Sequence, residues 1–261
     1  MSELRAYSSL APRHGSTQLV WSVGALLLLA YGLPYSQPLF AALFPDLARP
    51  VYVQEPMAAL MWQHIGLVCL SSSIAVIIAT LTGLATTHNT GQAFKPMMEI
   101  MAGMGQTFPP VAVLAVAVPA VGFGELPALI ALSIFGMLPV LQATLAGLAS
   151  VPSPVLDSAR AMGMTPRQIL TEVQMPLALP LWLAGVRTSV VVNIGTAAIA
   201  STVGAKTLGL PIIIGLSGFN TAYVLQGAMM VGLLAVTADL AFDKLAIGLH
   251  GPATSGVDNQ A

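Results

Sequence analysis

Apolar runs long enough to cross a bilayer recur along the whole chain, and no other feature constrains its fold as tightly. About 20 predominantly apolar residues span the hydrocarbon as a helix, and only helices or closed barrels satisfy every backbone polar group there. The runs cover Leu19–Leu33, extending through Tyr35 toward Phe40 despite Pro34, then Met57–Thr87, Met97–Ala120, Leu126–Ala149, Leu177–Val203 and Tyr223–Gly248. With 56% hydrophobic and 7% charged residues, lipid is the main solvent, and the fold class is an all-α polytopic membrane protein of about six transmembrane helices. Nine Lys and Arg spread along the chain, at a net charge of -1, exclude an electrostatic nucleic-acid binder. The single cysteine, Cys69, rules out an intrachain disulfide and is expected to pack as a small apolar residue.

Residues 1–18 carry Arg5, Arg13 and His14 ahead of the first run and read as a cytoplasmic segment before an uncleaved helix rather than a signal peptide. Pro38, Pro45, Pro50 and Pro56, with Asp46, Arg49 and Glu55, predict an irregular, exposed outer connection. In the second run the hydroxyls of Ser71, Ser72 and Ser73 are placed to bond the helix backbone or neighbouring helices. His64 reads as an interfacial polar residue, and no second ligand stands at metal-binding spacing from it, so no metal is expected. The third run is broken by Gly103, Gly105, Gln106, Thr107, Pro109 and Pro110. Carbonyls freed by such a break need protein or a water-filled cavity, so the cluster marks the interior, as the lining of a path or as a packing kink.

The fifth run holds Arg187, Asn193 and Thr196. An arginine at mid-membrane costs roughly 2.5–3.5 kcal/mol on insertion scales. Arg187 therefore needs a partner, reached by snorkelling to the inner interface or by contact with carbonyls freed in the third run. Gln106, Thr107, Pro109, Arg187, Asn193 and Thr196 are the candidates for a translocation path. Pro211–Phe219 reads as a re-entrant or partly helical outer segment, Asp239 as lying near headgroups, and residues 250–261 as a flexible tail. The stretch Gly204-Ala205-Lys206-Thr207 is no phosphate loop, because alanines 205 and 200 stand where that motif requires glycine.

The long polar interruption lies between the fourth and fifth runs, in a loop at 152–176. Ser153 is placed to cap a short helix with Pro154 in its first turn, and Gly163 to end it with a positive backbone angle. Thr165-Pro166 opens a second helix, with Gln168 at capping-box spacing and Pro176 as its limit. Val155, Ala159 and Met162 fall on one face, with Asp157, Ser158 and Arg160 elsewhere, which suits docking onto another protein. Arg5, Arg13, Lys95, Arg160, Arg167 and Lys244 flank the spans on the side of this loop, against Arg49 and Lys206 opposite. The positive-inside rule puts the loop and both termini in the cytoplasm.

This loop resembles that of bacterial ABC-transporter permeases of the binding-protein-dependent type, whose pattern is Glu-Ala-Ala, three residues, Gly, nine residues, Ile-x-Leu-Pro. Asp157-Ser158-Ala159, Gly163 and Val173-Gln174-Met175-Pro176 stand at those positions. The runs QTFPPVAVLAV and PALIALSIFGMLPVLQATLAGL are similar to the osmoprotectant branch, which imports glycine betaine, choline and related quaternary amines. Two departures stand out. Gln142 replaces a basic residue, and Lys206 places a cation in a turn where the family has Gly-Ala-Gly-Gly-Leu-Gly.

The resemblance implies the type I importer permease fold, a permease domain over 19–249 and a bacterial inner-membrane location. It makes Asp157, Ser158, Ala159, Met162, Gly163, Met164 and Pro176 the residues that couple to a cytoplasmic ABC ATPase. It also implies a second permease subunit, the same chain or a related one, and a periplasmic or external substrate-binding protein. No cofactor is expected on this chain, which is not itself an enzyme; ATP and Mg would sit on the ATPase. The alternatives are a permease for another small solute and a self-contained secondary transporter, for which the spans offer only Arg187 as an intramembrane ionisable group.

Overall fold

The computed structural model describes residues 15–86, 97, 100 and 109–249. Gln106 and Thr107, with the glycines of the third run and both tails, lie outside the described residues. The first span is assembled in steps: α1 (Gly15–Gly32), a 3-10 turn (Leu33–Ser36) and α2 (Gln37–Leu43). Pro34 and Pro38 each fall at the start of a helical piece, where a missing N–H leaves no bond unmade. There follow α3 (Met57–Ala85), α4 (Pro110–Val121) as the described part of the third span, and α5 (Glu125–Ala149). The loop contributes α6 (Ser153–Ala161) and α7 (Pro166–Gln168), after which α8 (Met175–Ile199), α9 (Leu210–Ser217) and α10 (Thr221–Leu249) complete the chain. Five of these segments are long and apolar enough to cross a membrane.

The centre is a three-helix pack of α3, α5 and α8, with α10 set against α8, α1 and α9. Lipid offers no hydrophobic drive between helices, so close approach depends on small residues. Gly185 of α8 lies against α5 so closely that a Cβ there would stand 2.9 Å from the Pro139 carbonyl oxygen. At Gly136 it would stand 2.8 Å from both Asn193 and Ser189, and at Gly83 it would meet Thr144 at 2.6 Å. Polar bonds reinforce the seams: Asn193 Nδ2 donates to Ser72 Oγ at 3.0 Å, Ser189 Oγ to the Gly136 carbonyl at 2.8 Å, and Trp182 Nε1 to Thr80 Oγ1 at 2.9 Å.

Four expectations are corrected here. His64 is fully buried, not interfacial: Nε2 donates to the Ile194 carbonyl at 3.1 Å and Nδ1 accepts from the Leu208 amide at 3.2 Å. Both ring nitrogens are used, which draws the residue into the bundle. The connection at 44–56 is only partly exposed, because Val51 and Tyr52 fold back over the bundle and Tyr52 meets Tyr223 edge-on at 5.4 Å. Burial, with Glu55 close by, pushes the Tyr52 phenol above its ordinary range. Cys69 is exposed rather than packed, since the inward face of α3 at that level is taken by Val68 and Ser72. Pro176 does not end the second loop helix: a π-helical segment, Ile169–Gln174, runs into α8, with the Met175 amide bonding five residues back to Leu170. The wider π turn makes room for a pyrrolidine ring that would crowd an α-helical carbonyl.

Candidate coupling site

The loop is a compact folded unit rather than a flexible strap. Pro152, extended at φ -60° and ψ 136°, is the N-cap of α6, and its carbonyl accepts the first bonds, from Val155 and Leu156. Ser153 therefore lies inside the helix and does not cap it, contrary to expectation. The C-terminus closes as a Schellman motif: the Gly163 amide donates to Arg160 at 3.0 Å and the Met164 amide to Ala159 at 3.2 Å. This requires the left-handed φ of +78° that Gly163 adopts. Thr165 then opens α7 through the expected capping box, its amide donating to Gln168 Oε1 at 2.9 Å and its Oγ1 accepting from the Gln168 amide at 3.3 Å.

α6 packs on the π segment, so the loop is continuous with α8 in structure as well as in sequence. Ala159 is 2% exposed and Ile169 is also buried, which turns Ala159 into the loop and away from the docking face on which it was expected. Met162, at 75%, and Val155 remain as the exposed apolar residues, beside Asp157, Ser158 and Arg160. Asp157 accepts from Arg160 at 2.8 Å, but both side chains are about two-thirds exposed, so the pair fixes little beyond local shape. Gly163 and Pro176 are exposed and Met164 is half-buried.

The described path candidates differ in their surroundings. Pro109 is exposed at the start of α4, Thr196 is half-buried on α8, and Asn193 is fully buried as a helix-to-helix tie. Arg187 finds its partners in two carboxylates of α10. Its Nε and Nη2 donate to the two carboxylate oxygens of Asp239, each at 2.6 Å, and its Nη1 donates to Asp243. A planar fork meeting a carboxylate in this way is the strongest form of such a contact. Asp239 and Asp243 thus form an ion triad with Arg187. Asp239 and Asp243 lie four residues apart on one helix face, and that spacing, set against a cation in need of a partner, was available in the sequence. Lys206 is also partnered, donating to Glu55 Oε1 at 2.7 Å. Gln226 and Thr207 carried no sequence signal, yet both are fully buried and bonded.

Residues 75–248 match the family of binding-protein-dependent transport system inner membrane components. The chain belongs to this family. It is 35% identical over 198 residues to the osmoprotectant import permease protein OsmW of Salmonella typhimurium, covering 74% of this chain and 91% of that protein. It is 35% identical over 178 residues to the choline transport system permease protein OpuBB of Bacillus subtilis, covering 68% and 81%. Among solved structures, a chain of the MetNI methionine ABC transporter in an inward-facing form superposes with a TM-score of 0.67 at 20% identity, covering 76% of this chain and 99% of that one. At that identity the likeness establishes the fold, that of an ABC importer permease.

Proposed function

We propose that this chain is the membrane-spanning subunit of an ATP-driven importer in a bacterial inner membrane, moving glycine betaine, choline or a related osmoprotectant inward. The observation that carries the reading is the loop at 152–176, an exposed and internally capped pair of helices that continues as one helical segment into the central helix α8. A cytoplasmic ATPase holding ATP and Mg would seat α6 through Val155, Met162 and the polar face at Asp157 and Ser158. Gly163 and Thr165 would keep that face at a fixed angle to α8. A second permease subunit would complete the path, lined in part by Gln106, Thr107, Pro109 and Thr196, and an external binding protein would deliver the solute. Both termini and the loop lie on the cytoplasmic side in this reading, consistent with the distribution of basic residues.

Substrate follows from the relatives named above and from one structural detail. Glu55 neutralises Lys206, so the turn at 204–209 does not present an uncompensated cation to a quaternary ammonium solute. The test is gentle extraction from the native membrane with mass spectrometry of the proteins retained. An ATPase and a binding protein are expected, and the binding protein, titrated with glycine betaine, choline and uncharged solutes, should prefer the quaternary amines. Recovery of the chain alone, under conditions that keep other importers intact, would overturn the reading in favour of a self-contained transporter.

A further inference from the structure

One helix touches both the segment that continues from the loop and the connection capping the far end of the bundle. α10 runs from Thr221 to Leu249, 29 residues with no proline, about 43 Å at 1.5 Å per residue. Near its C-terminal end Asp239 and Asp243 hold Arg187 of α8, the helix into which the loop feeds. Near its N-terminal end Gln226 is fully buried and uses its whole amide on the 44–56 connection. Its Nε2 donates to the Pro50 carbonyl at 2.7 Å, and its Oε1 accepts from the Tyr52 amide at 3.0 Å. Just before the helix begins, Asn220 donates to the Arg49 carbonyl at 2.9 Å and caps α10 by accepting from the Tyr223 amide at 3.2 Å. Gln226 and Asp239 are 13 residues apart, about 20 Å along the axis. The two ties therefore sit toward opposite sides of the hydrocarbon.

Both ties resist slippage. Sliding α8 past α10 would strand the Arg187 charge among apolar groups. Moving Gln226 away would leave a buried carbonyl and a buried amide unpaired. A displacement entering at α8 is therefore passed along α10 rather than absorbed at its ends.

We propose that α10 is the strut through which the coupling loop acts on the 44–56 connection, with Arg187 the positioning residue at one end and Gln226 at the other. The inference rests on the reading of 152–176 as an ATPase-coupling loop. Linkage makes the coupling reciprocal, so a partner seated on the 44–56 connection would in turn alter how the loop engages the ATPase.

The experiment uses the complete complex with its ATPase in lipid vesicles, in a Cys69→Ser background carrying Val53→Cys. Val53 is 68% exposed on the connection. Labelling by a membrane-impermeant maleimide is timed without nucleotide and with ATP plus vanadate, beside the rate of ATP hydrolysis. The parent is expected to label at rates severalfold apart in the two states. Gln226→Leu should abolish that difference while hydrolysis continues. Arg187→Asp should abolish it as well, and Arg187→Asp combined with Asp239→Arg should restore it, an outcome that a merely structural role in folding would not give. A nucleotide-dependent difference that survives in Gln226→Leu, or a charge exchange that reaches the membrane at normal level without restoring it, overturns the inference. A parent that hydrolyses ATP but labels equally in both states also overturns it and leaves the importer reading intact. A parent that binds no ATPase overturns both.

Discussion

Substitution of Gly163 isolates the backbone geometry of the loop from its packing. A Cβ at this position would meet nothing within 4 Å, so a side chain there encounters no steric obstacle inside the subunit. The whole cost is that of holding an L-residue at φ +78°, about 1–2 kcal/mol, somewhat less for Asn and more for a β-branched residue. A factor of ten corresponds to 1.4 kcal/mol, so the Schellman turn loses roughly 5- to 30-fold in population relative to a frayed loop. The bundle is untouched, and membrane level and melting temperature should stay near those of the parent. Affinity for the ATPase, titrated with the purified subunit in nanodiscs, should fall in the order Gly, Asn, Ala, Val, and solute uptake should fall with it. Leu in place of Gly163 should resemble Ala within the subunit, so a much larger loss for Leu would mean that the ATPase itself packs against this residue. Uptake at the parent rate by Gly163→Val, at normal membrane level, refutes the argument that this turn sets the docking angle.

Three further outcomes follow from the packing. Gly185→Val drives a side chain into the Pro139 carbonyl and forces α5 and α8 apart; overpacking at about 1–3 kcal/mol or more should cut the yield of monodisperse protein, whereas Gly195→Ala, with open space around it, should not. His64→Leu removes the acceptor of the buried Leu208 amide and should destabilise by about 1–3 kcal/mol, read as a lower melting temperature in detergent; an unchanged melt would mean that the amide finds another partner. Glu55→Gln should cost under about 1 kcal/mol of stability, since the pair is partly exposed, but should slow uptake of a cationic solute at low ionic strength and less so in high salt. Equal slowing at all salt concentrations would point to a contact rather than a charge.

Legibility in the sequence followed the range of the interaction. The spans were readable because hydropathy over about 20 residues is a local quantity, and the first span kept its helical course because its prolines fall where helices start. Within the loop, Gly163 and the Thr165–Gln168 box act across three or four residues, and both stand as the spacing predicts. Pro176 misled because its rule concerns an isolated α-helix. Directly before it, over Ile169–Gln174, the chain widens into a π segment, and the same proline then sits at the start of α8 as a tolerated residue. Ser153 failed as a cap for a related reason: Pro152 already supplies the extended geometry one residue earlier.

The polar residues of the spans were harder, because in lipid a helix is apolar on every side and periodicity no longer says which face meets protein. His64 and Leu208 are separated by 144 positions, Gln226 and Pro50 by 176, and nothing local distinguishes these side chains from interfacial ones. Arg187 stands between the two cases. Its need for a partner follows from its charge and its place in an apolar run, and two aspartates one turn apart on the last span are spaced to meet it twice. Pairing the charges of different spans with one another would have found the triad. It would not have found the amide of Gln226, whose role depends on a loop that returns to cover the bundle only once the bundle has formed.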